Sequence, residues 1–213
     1  MPSVTERLTP QPTARGIIEV STDAEIQQAV NTELSHPTVI VCANITLSAA
    51  LQLTDKPDFV FQSTPGERYT LSGGGLVQIM VLQGTTAIAI QNLTFAHGYS
   101  TGNSYVQAGG TISVVGNATS LVVTGSRFQS TQATYGGAVA CEEGASCNFQ
   151  DVTFSECDAG NGGAVYCYDG ATCDFQDVTL SECNATYGGA VYCEGVLNPE
   201  SEVGASCDFQ DVS

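Results

Sequence analysis

The chain has 213 residues, enough for one domain with a substantial core. Hydrophobic residues make up 42%, which excludes a disordered acidic tail, and 22 acidic residues against 5 basic leave a net charge of −17. So few Lys and Arg cannot neutralise phosphates, which excludes nucleic-acid binding and disfavours anionic membrane surfaces. No apolar run reaches the ~18 residues a transmembrane helix needs.

Residues 1–15 read as a flexible tail with no apolar segment of the signal-peptide kind. Residues 16–37 read as an N-terminal cap, made of a short strand, GIIEV, and an amphipathic helix within STDAEIQQAVNTE. Ser, Thr and Asp precede Ile26 and Val30, which fall at helical spacing. A helix there would cover the open apolar end of a β stack and block edge pairing. Residues 38–213 read as one parallel β-helix, beginning with the short β-type runs VIVCANITL and DFVFQS. The chain stops inside a repeat at Ser213, so the expectation is a piece truncated at its C-terminus.

The strongest signal is an internal period. GGAVAC at 136–141 recurs as GGAVYC at 162–167 and 188–193, 26 residues apart each time. Each copy is followed by a second Cys and then NFQDV or DFQDV. Degenerate copies lie upstream, at 109–135 and, for half a unit, at 87–98. A unit of this length with two short Val-, Phe- and Cys-rich runs cannot bury its apolar face alone, so it must stack on its neighbours. Successive strands then pair in parallel about 4.8 Å apart and equivalent residues form columns. The predicted fold is therefore all-β: a right-handed parallel β-helix (solenoid) with an N-terminal helical cap. Parity puts Val165 and Cys167 on one face and Tyr166 on the other. Phe175 and Leu180 can both be buried only if the chain bends near Gln176 and Asp177.

Nine cysteines and the Asn-x-Ser/Thr sequons at Asn44, Asn92, Asn117 and Asn184 point to an oxidising, extracellular or cell-surface location with glycosylation. Within a coil, the second Cys trails the first by six residues twice and by fourteen once, across the insertion VLNPESEV. A bridge within a coil closes the base of the loop whatever its length. This favours Cys141–Cys147, Cys167–Cys173 and Cys193–Cys207, with Cys157–Cys183 as a bridge between adjacent coils and Cys42 as a buried free thiol. The alternative is nine reduced thiols acting as small apolar residues.

The repeats resemble those of the polymorphic outer membrane proteins and related bacterial adhesins, whose coils carry a GGAI motif and a downstream F-x-x-N motif. Here GGAI is matched by Gly136-Gly137-Ala138-Val139, Gly162-Gly163-Ala164-Val165 and Gly188-Gly189-Ala190-Val191. F-x-x-N is matched by Phe154-Ser155-Glu156-Cys157 and Leu180-Ser181-Glu182-Cys183, with Cys in place of Asn. The stretch YTLSGGGLVQIMVLQGTTAIAIQNLTFAHGYS is similar to the lead-in of right-handed β-helix proteins of the pectin-lyase-like class. That class includes polysaccharide lyases, hydrolases and epimerases, and the resemblance implies an Arg or Lys base with Ca²⁺ held by Asp in a lyase.

The residues offer little of that chemistry. The basic residues are Arg7, Arg15, Lys56, Arg68 and Arg127, none within the regular repeats, and His36 and His97 have no partner at suggestive spacing. Asp151, Asp177 and Asp211 form a carboxylate column, as do Glu156 and Glu182; Asn148, Asp174 and Asp208 form another. Like charges about 5 Å apart repel. Either Ca²⁺ offsets them, or they cap turn amides in solvent. Tyr166 and Tyr192 are a candidate binding face for a glycan or protein, or else a stabilising ladder. Because repetition suits a ladder better than a catalytic centre, the expected function is a non-enzymatic extracellular or cell-surface module, an adhesion or structural rod. The alternatives are a polysaccharide lyase or epimerase, and a filament subunit that self-associates end to end.

Overall fold

The computed structural model describes residues 16–34, 36–102, 108–194 and 204–213. The expected tail at 1–15, with Arg7 and Arg15, lies outside the described residues, as does the insertion at 196–203.

The chain opens with β1 (Ile17–Val20) and α1 (Asp23–Val30). It then winds through coils of three strands each. The first has β2 (Thr38–Val41), β3 (Ile45–Thr46) and β4 (Leu51–Thr54); the second has β5 (Phe59–Ser63), β6 (Thr70–Ser72) and β7 (Met80–Gln83). The third has β8 (Ala87–Gln91), β9 (Thr94–Ala96) and β10 (Ile112–Val115). The fourth has β11 (Ser120–Thr124), β12 (Arg127–Tyr135) and β13 (Val139–Glu142). The fifth has β14 (Ser146–Gln150), β15 (Thr153–Asn161) and β16 (Val165–Tyr168). The last has β17 (Thr172–Gln176), β18 (Thr179–Ser181), β19 (Asn184–Tyr187) and β20 (Val191–Glu194), followed by β21 (Ser206–Gln210).

All pairings named here are parallel, and they build three sheets of eight, seven and six strands along the stack, giving a β-solenoid of about six turns. Sheet A runs from β1 to β21 through β2, β5, β8, β11, β14 and β17; sheet B runs from β3 to β18; sheet C runs from β4 to β20. The 26-residue period is the register itself: Phe149 pairs with Phe175, and Phe175 pairs with Phe209 at a step lengthened to 34 by the eight-residue insertion. Their rings stack at centroid distances of 5.3 and 4.9 Å. A second ladder, Phe95–Phe128–Phe154, stacks at 5.0 and 4.9 Å inside sheet B.

The bend expected near Asp177 is a left-handed corner. Asn92, Gly125, Asp151, Asp177 and Asp211 occupy equivalent places between sheets A and B, with φ of 52, 58, 53, 53 and 51°. Asn, Asp and Gly are the residues that tolerate this conformation best. The Gly-Gly pairs divide the work. Gly136 and Gly162 take φ of 53 and 60°. Gly137 instead lies under the next rung, where a Cβ would come within 2.1 Å of the Gly163 carbonyl oxygen.

Helix α1 starts with a capping box: the Thr22 side chain accepts from the Glu25 backbone N–H, and the Glu25 carboxylate accepts from Thr22 N–H. Ile26, Ala29 and Val30 are buried in the same core as β1 and β2.

Candidate functional site

Cysteine sits in the core of the second half. On the inner face of sheet C, Leu53, Leu82 and Val114 are followed in register by Cys141, Cys167 and Cys193. On sheet A, Phe59, Ile88 and Leu121 are followed by Cys147, Cys173 and Cys207. The two columns face each other across one corner of the coil and form three disulfides, Cys141–Cys147, Cys167–Cys173 and Cys193–Cys207. Their Cα separations are 6.5, 6.4 and 6.4 Å, although the loops they close are 6, 6 and 14 residues long. The insertion therefore leaves the base of its loop unchanged. Sulfur also meets sulfur between rungs: Cys141, Cys147 and Cys173 lie within 4.8 Å of one another.

The Cys157–Cys183 bridge is not formed, and both are free thiols. Flanking pairs Ser155↔Ser181 and Asp158↔Asn184 make them equivalent positions on adjacent parallel rungs. Such side chains point the same way and keep roughly the rung spacing of about 4.8 Å. A disulfide needs Cβ atoms about 3.8 Å apart and converging. Cys42 is free as expected, but half-buried rather than fully buried, with Thr64 donating its hydroxyl to the sulfur.

The tyrosine face differs from expectation. Tyr166 and Tyr192 do stack, at 5.4 Å, on the outer side of sheet C. But Tyr166 is only 6% exposed, because Ala108 and Ala140 pack with it and the Tyr135 ring lies 5.1 Å away. The long strand β12 carries Tyr135 over this face. Tyr192 is half-buried and donates its hydroxyl to the Glu194 carboxylate.

Beside this cluster lies Glu142, 2% exposed, with Oε2 lacking a hydrogen-bond partner among the described residues. Desolvation first, then the charges of Glu143 and Asp169, push its carboxyl up from 4.5 to about 8. It adds to the burial that raises the Tyr166 hydroxyl above its ordinary value. Sequence reasoning missed this residue, since its cover comes from groups remote in sequence.

The acidic columns are in register but exposed. Asp151, Asp177 and Asp211 sit at the left-handed corners described above, and Glu156 accepts from Ser130 Oγ at 2.6 Å. Among the described residues, no three carboxylates bring oxygen atoms within 4.8 Å of one another; the groups that do so are cysteines. Of the sequons, Asn44 accepts from the Thr70 N–H. Asn92 accepts from Arg68 Nε and donates to the Glu67 carbonyl. Asn117 and Asn184 are exposed. Arg127 is exposed at the start of β12, His97 takes a φ of 51°, and His36 pairs with Asp58 at 3.3 Å on the surface.

A groove of about 660 Å³ runs along the outer face of sheet C at its first rungs. Gln52, Val81 and Gln83 form its floor, with Leu76, Gln78 and Tyr99 on its walls. Leu76 is 82% exposed. Gln78 is held in place by donating to the Gly109 carbonyl at 2.6 Å and to Ser113 Oγ at 2.7 Å. The lining offers amides, hydroxyls and apolar surface, and among the described residues Tyr99 is its only titratable side chain. The sequence signal that could have found it is Leu76, an apolar residue after three glycines and outside any strand pattern. Among the described residues, no helix is long and apolar enough to cross a membrane. No family model, no curated protein and no solved structure matches the chain.

Proposed function

We propose that this protein is a non-enzymatic extracellular or cell-surface solenoid module that binds a neutral glycan along the outer face of sheet C. The sheet C groove carries this reading: it presents the Gln52 and Gln83 amides beside an exposed leucine and a tyrosine. Sugar rings combine apolar faces with hydroxyls, and such a surface meets both. An acid–base reaction would need a titratable pair within reach of the substrate, and the described lining supplies Tyr99 alone. Three disulfides are compatible with an oxidising location. The repeat resemblance to bacterial adhesins agrees with a surface role.

A glycan array, with turnover assayed on every hit, tests this. Binding of an uncharged glycan is expected, weakened about 10-fold or more by Tyr99→Ala or Leu76→Asp, with the glycan recovered intact. Release of unsaturated or shortened product would establish the lyase or hydrolase reading instead. Affinity untouched by both substitutions would remove the groove from the account.

A further inference from the structure

The six-cysteine ladder accounts for three disulfides, and Cys42 lies on its own. That leaves the two thiols on adjacent rungs of sheet B. Cys157 is buried and Cys183 is half-buried, and each thiol donates to the carbonyl two residues before it, Cys157 to Ser155 at 3.3 Å and Cys183 to Ser181 at 3.4 Å. The position below Cys157 in register is Thr131. Thr131 is 1% exposed, and among the described residues its hydroxyl meets hydrogen-bond geometry with no partner, the Cys157 sulfur being its neighbour. The column thus reads Thr131–Cys157–Cys183: one hydroxyl oxygen and two sulfurs at successive positions of the register.

We infer that Cys157 and Cys183 form a site for one soft monovalent metal ion of the Cu(I) class, bridging two rungs, with Thr131 Oγ as a weak third contact. The parallel arrangement that disfavours a disulfide suits this ion. Two metal–thiolate bonds of about 2.3 Å placed end to end span about 4.6 Å, close to the rung spacing of about 4.8 Å. Thiolates select Cu(I) over harder ions. Zn²⁺ would require four ligands, and the column offers three polar atoms. Binding replaces the thiol proton on each sulfur with the metal and releases it to solvent, with no change of oxidation state.

The test is transfer of Cu(I) from its bicinchoninate complex, under argon, to the full chain with its three disulfides intact. One ion per chain should move, with iodoacetamide labelling of Cys183 suppressed in proportion. Cys157→Ser and Cys183→Ser should each abolish transfer, Cys42→Ser should leave it unchanged, and Thr131→Val should weaken it about 10-fold. Transfer that survives Cys183→Ser, or that is lost with Cys42→Ser alone, overturns the proposal. So does a Cys157–Cys183 disulfide in peptide maps of the purified protein. If Cys157→Ser fails to fold, the labelling of the unmodified chain and the Cys183→Ser titration still decide.

Discussion

Reducing the three stacked disulfides is expected to remove most of the stability of the C-terminal half while sparing the N-terminal coils. Chain-entropy arguments assign about 2 kcal/mol to each six-residue loop and about 3 kcal/mol to the longer one. The sum, on the order of 7 kcal/mol, is comparable with the whole stability of an ordinary domain. The loss should be local, because a solenoid coil contacts only its neighbours and its stability is a sum over rungs. Upstream, the same facing positions are filled by Leu53 and Phe59, Leu82 and Ile88, and Val114 and Leu121, and hold without sulfur. Hydrogen exchange with and without a phosphine reductant should show protection lost from β13 to β21 and retained from β2 to β10. The double variant Cys141→Val with Cys147→Leu should recover most of its rung's stability by copying the upstream coil, whereas either single change should not. Uniform protection in the reduced protein would mean that the bridges contribute nothing to the stack.

The second large effect concerns Glu142. Its folded-state carboxyl titrates at about 8, above the ordinary 4.5. The sign follows from linkage. The protonated form fits the buried site, so stability is complete below pH ~4.5 and is lost as pH rises towards 8, when the unfolded chain ionises freely and the folded one resists. At about 1.4 kcal/mol per unit, the loss is on the order of 5 kcal/mol. Glu142→Gln keeps the shape and removes the charge. In denaturant melts the variant should equal the parent near pH 4.5 and exceed it by a few kcal/mol at pH 8.5. Taking the difference between the two cancels acidic residues remote from Glu142, while the neighbours Glu143 and Asp169 stay in it because their charges help to raise its carboxyl. A difference that stays flat with pH would show that Glu142 reaches water and ionises normally.

How much of this was legible depended on whether a feature repeats. The 26-residue step, read from GGAVYC and DFQDV, placed Phe149 under Phe175 and set two facing cysteine columns. A parallel stack turns sequence period directly into spatial column, so these relations needed no coordinates. The survival of the Cys193–Cys207 pair across an inserted loop pointed to bridges within coils for the same reason. Three things escaped. The Cys157–Cys183 bridge was expected because columns bring sulfurs near, but nearness along a column is not convergence. Tyr166 was assigned to an open face by strand parity. Parity separates the inside of a coil from its outside; it cannot say that Tyr135, carried by the long strand β12, folds over that outside. The groove at Gln52, Leu76 and Tyr99 joins segments that share no repeat, so no period announced it.

By itself, then, the sequence determined the coil: its length, its inward residues, the bend near its Asp corners and its paired cysteines. All of these are local or periodic, and they recur in each turn through the same sterics and hydrogen bonds. Only the tertiary structure decided which outer surfaces stay open, which thiols stay free and which carboxyl keeps its proton. Burial and side-chain direction at those places are set by whatever non-repeating chain lies across them, and a period carries no information about that.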